Sequence, residues 1–240
     1  MNTSQKKIKA KDYFRNLWKY RFLLKEIVRK NVKLQYRNSV LGIFWTFLQP
    51  LMTTIVLVLV FGNIFGKSNE GIVCYPIYLL CGRLLYEFFT QSTKRAMRSI
   101  RNSASVIKKV YVPKYIYPIS NVLSNFVTFV ISLSVLIVVM LYYGLFTDVQ
   151  LHITPYILLA FVPVIILLVL CTGIGLILST LNVFFKDIEY LYEVFCMLIF
   201  YATPIFYTVD KLGANKIVLM GLMANPLYSI VSMFRSCVLF

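Results

Sequence analysis

Residues 115–147 read YIYPISNVLSNFVTFVISLSVLIVVMLYYGLFT and contain no Asp, Glu, Lys or Arg. A helix needs about 20 apolar residues to cross the hydrocarbon core of a bilayer, so this stretch predicts a span over about 116–145. Four further apolar segments flank it, at about 43–65, 72–89, 155–180 and 188–207. The first contains Pro50, which implies a kink or a freed carbonyl. The second carries Arg83 and Glu87 one helical turn apart, a pairing that lowers the cost of two charges near a membrane. In the fourth, Gly173 and Gly175 are expected to allow close helix contact, and the fifth is interrupted by Pro204. Another apolar stretch, 217–234, holds Asn225-Pro226, which breaks a helix. It predicts a re-entrant hairpin or two short interfacial helices, an incomplete sixth span in a chain that stops at Phe240.

Composition agrees. Of 240 residues, 59% are apolar and 14% charged, with a mean hydropathy of +0.75. Soluble domains lie near 45–50% and about 25% respectively. The departure excludes disordered, collagen-like and disulfide-scaffold classes. Five or six spans fill the chain and leave no room for a large soluble catalytic domain.

The formal charge is +16, and its placement says more than its size. Twelve of the 25 Lys and Arg residues lie between Lys6 and Arg37, and seven more between Lys94 and Lys114. Both groups flank apolar runs, so the excess reads as the positive-inside signature rather than as a nucleic-acid surface. With the N-terminus inside, loops 94–114 and 186–193 are cytoplasmic, and the short loops around Lys67 and Asp148 face outward. Twenty of the 25 basic residues then share one side. The first apolar run begins near Leu41, too late for a cleavable signal peptide.

Ahead of that run, residues 13–35 form a different pattern. Phe14, Leu17, Trp18, Leu24, Ile27, Val28 and Leu34 share a helical face that Arg21 interrupts, and Lys and Arg occupy much of the remainder. This is an amphipathic helix too charged to span, expected at the cytoplasmic interface with Trp18 in the acyl boundary. The sequence therefore divides into a tail with an interface helix, 1–37, and a transmembrane domain, 38–240. The fold class is an all-α integral membrane protein: an N-terminal amphipathic interface helix, then five spans plus a re-entrant or incomplete sixth.

Catalytic motifs are missing. The sequence has no phosphate-binding loop, no H-E-x-x-H, no G-x-S-x-G and no Gly-rich dinucleotide turn. His152 is the single histidine, and Cys74, Cys81, Cys171, Cys196 and Cys237 show no C-x-x-C pair, so no metal site is expected. Asp187, Glu189 and Glu193 gather at a turn, where a solvated or partner-facing role is expected. Intramembrane acids are too few for a proton or sodium relay. The energy for any transport must come from another chain.

The order of motifs resembles a known family. Val32-Lys33-Leu34-Gln35-Tyr36-Arg37-Asn38-Ser39-Val40-Leu41-Gly42, then Trp45 and Gln49-Pro50-Leu51, resemble the opening of the membrane subunit of polysaccharide ABC exporters of the type-2 permease class. Five more blocks follow in order: Tyr78 to Gly82, Ser105 to Pro113, Phe184 to Ile188, Thr203 to Tyr207, and Asn225 to Leu227. The resemblance covers nearly the whole chain. It implies a non-catalytic homodimeric permease in the cytoplasmic membrane, paired with cytoplasmic ATP-binding subunits that hold ATP and Mg, with no cofactor in this chain. The cargo it implies is an O-antigen, capsule or teichoic-acid polymer on a lipid carrier; a permease for drugs or small lipids is the alternative. Two departures stand out: the family's sixth helix is absent beyond Phe240, and Arg83 with Tyr86-Glu87 replaces a more apolar segment.

Site residues follow from the resemblance. Residues 102–110, with Asn102, Ser105, Ile107, Lys108 and Lys109, match the coupling helix that docks on the ATPase, and Lys186-Asp187 a second contact. Residues 208–240 match the outer gate region. At the cytoplasmic entrance, Arg29, Lys33 and Arg37 could receive a pyrophosphate headgroup, or equally anchor the helix on anionic lipid. Trp45, Tyr201, Phe206 and Tyr207 are the channel-lining candidates, since aromatic faces suit sugar C–H surfaces. Most of the other aromatics among the 17 Tyr and 19 Phe are expected to face lipid.

Overall fold

The computed structural model describes residues 18–37, 39–61, 74–146, 159–206 and 225–239, and every regular element among them is helical. In chain order these are α1 (Arg21–Tyr36), α2 (Trp45–Phe61) behind a single 3₁₀ turn at Gly42–Phe44, α3 (Tyr75–Asn102), α4 (Ala104–Ile107), α5 (Ile116–Phe146), α6 (Phe161–Phe184), α7 (Ile188–Ala202) and α8 (Pro226–Leu239). Tyr207 and residues 208–224 lie outside the described residues.

The central post is α3. Helices α5 and α6 pack along it, while α2, α7 and α8 close further sides. Its buried face runs from Tyr75 to Ser99, with Ile77, Leu80, Leu84 and Leu85 in the core. Phe88 meets Phe129 of α5 with ring centroids 4.7 Å apart. Gly175 lets α6 close on α3: a Cβ there would stand 2.8 Å from that of Ala96. Gly173 does not share this role, because it faces open space.

Three described helical segments are long and apolar enough to cross a membrane: Gly42–Val60, Ile116–Phe146 and Phe161–Phe184. The other two expected spans take different forms. The stretch expected at 72–89 is the first part of α3, which continues without a break through the basic segment to Asn102. The stretch expected at 188–207 holds the 15-residue α7, which rises only about 22 Å and opens on two acidic residues.

Local sequence explains the helix boundaries. Between α1 and α2 the chain turns through Gly42, whose φ of 52° suits glycine, and the Gly42 amide donates to Ser39 Oγ at 3.1 Å. Pro50 sits inside α2 and cannot donate to the carbonyl of Thr46. Ser132 of α5 donates to that carbonyl instead, at 3.1 Å, so the freed acceptor becomes an interhelical bond. Asn225-Pro226 starts a helix here: Asn225 Oδ1 accepts from the Leu227 amide at 3.0 Å, with Pro226 in the first turn of α8.

The amphipathic α1 does not turn its whole apolar face away from the protein. Tyr20, Leu23, Leu24 and Ile27 pack on Val112, Ile116 and Tyr117, in a cluster that also takes in Ile107 of α4. Trp18 and Phe22 stay 71% exposed. The Arg21 guanidinium lies over both rings, 4.8 and 5.0 Å from their centroids.

Candidate functional site

One end of the bundle gathers the basic residues of α3, the short α4 and the α6–α7 turn. Lys94, Arg98 and Arg101 recur at three- and four-residue steps, so they share a face of α3. The first turns of α7 supply Glu189 and Glu193 opposite them. Arg98 Nε lies 2.9 Å from Glu189 Oε2, and Arg101 Nη1 lies 2.7 Å from Glu189 Oε1. Glu193 meets Arg98 at 3.5 Å and Lys94 at 3.8 Å. Buried Asn182, near the end of α6, completes the set by donating to the Met97 carbonyl and to Glu189 Oε1, both at 3.1 Å. Burial pushes the Glu189 carboxyl up, but the Asn182 bond and the two guanidiniums outweigh it and hold it below the usual range.

The expectation of a solvated or partner-facing acid cluster changes for Glu189, which is drawn into the chain and binds α7 to α3. Glu193 reaches Arg98 and Lys94 but stays exposed, as does Asp187 beside Lys186. Two hydroxyls extend the fastening: Tyr192 to Thr93 Oγ1 at 2.7 Å, and Tyr86 to the Cys196 carbonyl at 2.8 Å. The i, i+3 and i, i+4 spacing of both charge sets was the available signal for the pairing.

Beyond α3 the chain protrudes. Asn102 ends that helix, α4 holds Ser105, and Lys108 and Lys109 follow in a turn; all four are exposed. Val106, Val110 and Tyr111 are exposed as well, whereas Ile107 turns back into the cluster under α1. The result is a short knob of apolar and cationic side chains on a fixed base.

The entrance and lining candidates are spread out. On α1, Arg29 pairs with Glu26 at 3.1 Å, and Lys33 and Arg37 are exposed. Trp45 stands at the start of α2, on a polar cleft that also takes in Gln35, Gln49, Glu87 and Gln91. Tyr201 lies near the opposite end of α7, its ring 5.5 Å from that of Phe200, and Phe206 meets Phe200 at 5.2 Å. The structure therefore does not gather Trp45 with Tyr201 and Phe206 on one surface.

Arg235 is a residue that sequence reading passed over. It is 6% exposed on α8 and donates to the carbonyls of Tyr78, Pro204 and Ile205 at 3.2, 2.8 and 3.1 Å. Its guanidinium carbon lies 3.5 Å from the centroid of the Tyr78 ring. Gly82 leaves room for it, since a Cβ there would collide with the guanidinium. One side chain thus ties α8, the break after α7 and α3 together.

Comparison with known proteins places the whole arrangement. The chain is 29% identical over 222 residues to the O-antigen export system permease protein RfbA of Myxococcus xanthus, covering 92% of this chain and 82% of that protein. It is 29% identical over 216 residues to the protein of the same name from Klebsiella pneumoniae, covering 89% and 78%. The ABC-2 type transporter family matches residues 23–239, from the first turn of α1 to the last residue of α8. With its apolar helices and this match along almost all its length, the chain is a multi-pass membrane protein that belongs to the ABC-2 type transporter family.

Proposed function

We propose that the chain is the membrane subunit of an ATP-driven exporter that carries a lipid-linked polysaccharide, such as an O-antigen, capsule or teichoic-acid chain, across the cytoplasmic membrane. The observation that carries the reading is the match to O-antigen export permeases over nine-tenths of the chain. In this reading two copies form the conduit, the N-terminus is inside, and ATP and Mg bind to a separate cytoplasmic subunit. The permease itself does no covalent chemistry.

The knob at 102–110 is the surface on which that subunit would push, with Lys186 and Asp187 as a second contact. Exposed Val106, Val110 and Tyr111 offer apolar area, and Lys108 and Lys109 select for an acidic groove. The ion-paired clamp between α3 and α7 would make both contacts move together, so that closure of the ATP-binding subunits rotates the spans. Arg29, Lys33 and Arg37 would meet the carrier's phosphates at the entrance.

Two experiments test this. Deleting the protein should leave polymer inside the cell and none on its surface; normal surface polymer, with export of a small hydrophobic compound lost instead, would favour a drug or lipid permease. Charge reversal of Lys108 and Lys109 should abolish polymer-stimulated ATP hydrolysis while leaving membrane insertion intact. Export at the unmodified rate in that double variant would overturn the coupling role.

A further inference from the structure

Among the described residues, three hollows between the helices stand out, and they are of two kinds. Two are apolar: one lies between α2 and α5 and is lined by residues such as Leu51, Val58 and Val139, and the other lies under α7 beside Phe89, Leu170 and Leu198. Both suit acyl chains. The third opens between the end of α1, the start of α2, and the middles of α3 and α5, and it is polar.

The floor of this cleft is already satisfied by protein. Tyr36 Oη and Thr46 Oγ1 share a 2.6 Å bond, Asn125 Nδ2 donates to Ser92 Oγ at 2.8 Å, and Thr128 Oγ1 donates to the Asn125 carbonyl at 2.8 Å. The rim differs. The side-chain amides of Gln49 and Gln91 have no hydrogen-bond partner among the described residues. Glu87 accepts both Arg83 bonds, at 3.2 and 2.9 Å, on Oε1, which leaves Oε2 available. Trp45 presents a ring that is 45% exposed. The inner space is about 90 Å³.

That chemistry is selective. Each free carboxamide offers both donors and an acceptor, and the carboxylate oxygen accepts. No Lys or Arg lines the cleft: Arg83 is engaged by Glu87 and Arg95 by Gln35, so the lining offers a phosphate no free cation and the carrier's headgroup is a poor occupant. An alkyl chain would strand the amides without partners, which is costly away from water. A neutral sugar ring meets every group: its hydroxyls donate and accept, and its C–H face can lie on the indole. We propose that the cleft of Trp45, Gln49, Glu87 and Gln91 is a seat for one neutral sugar unit of the transported chain. This rests on the polysaccharide-export reading and deepens it by naming where the polymer is held and that it is held by hydroxyls rather than phosphate.

The test uses the full chain in lipid nanodiscs and free methyl glycosides of glucose, galactose and mannose as probes. The chain has two tryptophans, so in a Trp18→Phe background the emission reports Trp45 alone. At least one glycoside should give a saturable change in the millimolar range, and inorganic pyrophosphate should give none. Replacing Gln49 and Gln91 together by Leu, of similar size and well suited to a membrane, should weaken binding roughly tenfold, as the loss of two ordinary hydrogen bonds implies. Saturation-transfer NMR of the same glycosides with the unmodified chain repeats the measurement should the Trp18 variant not fold. No response to any glycoside by either method, equal binding in the double-Leu variant, or a response to pyrophosphate alone would each overturn the seat. The export reading fails separately, if deletion leaves surface polymer unchanged. If deletion abolishes export while the double-Leu variant exports and binds as before, the seat alone falls.

Discussion

Arginine fastens two ends of this bundle, exposed at one and buried at the other, and the two ends work differently. Where α3 meets α7, Arg98 and Arg101 face carboxylates at the protein surface, charge against charge. At the far end Arg235 meets no acid among the described residues: three carbonyls and a tyrosine ring hold it. The first arrangement shares its load over several partners and is open to screening by salt. The second depends on one side chain lodged in one shape. An exposed joint tolerates substitution, whereas a buried joint leaves every abandoned polar group without relief.

The sharpest way to break the contrast is Arg235→Leu. It should cost about 3 kcal/mol or more, since the carbonyls of Tyr78, Pro204 and Ile205 lose their donor. Thermal unfolding in nanodiscs would read it, and a loss under about 1 kcal/mol would place Arg235 among ordinary surface residues. Gly82→Ala comes next, at about 1–3 kcal/mol, because its Cβ must displace a guanidinium that is already committed. In an Arg235→Leu background the same change should cost almost nothing, and this non-additivity identifies the contact.

At the other joint Glu189→Gln should cost about 1 kcal/mol or less, with the deficit smaller at high salt. Its pH dependence has a definite sign. The Glu189 carboxyl is held below its ordinary value, so its contribution is in full force above the unfolded value of about 4.3 and is lost as pH falls through the depressed one. The gap between the parent and Glu189→Gln melting curves should therefore be constant near neutrality and close in acid. A gap that widens in acid would refute the assignment.

Much of this was legible in residue order, and what escaped has a physical reason. Charge-free runs marked the three apolar spans, and Pro50 announced a freed carbonyl, although not that Ser132 would take it. The continuity of α3 was hidden because Lys94, Arg95, Arg98 and Arg101 read as a loop when taken alone. They are tolerated in a helix because Arg95 finds Gln35, and Arg98 and Arg101 find Glu189, partners far away in sequence that periodicity cannot detect. Gly173 and Gly175 look alike on paper; the rotation of α6 decides that only the second meets α3. The polar cleft draws on four helices, and none of its glutamines stands out in its own segment.

The small apolar cluster beneath α1 carries a mechanical corollary. Ile107 shares it with Leu23, Leu24 and Ile27, so the knob cannot shift without dragging the surface helix along. In the export reading proposed above, a stroke delivered there would tilt a rod placed at the headgroups. The stiffness of the surrounding lipid would then set part of the resistance felt by the motor, and softer bilayers should lighten the stroke.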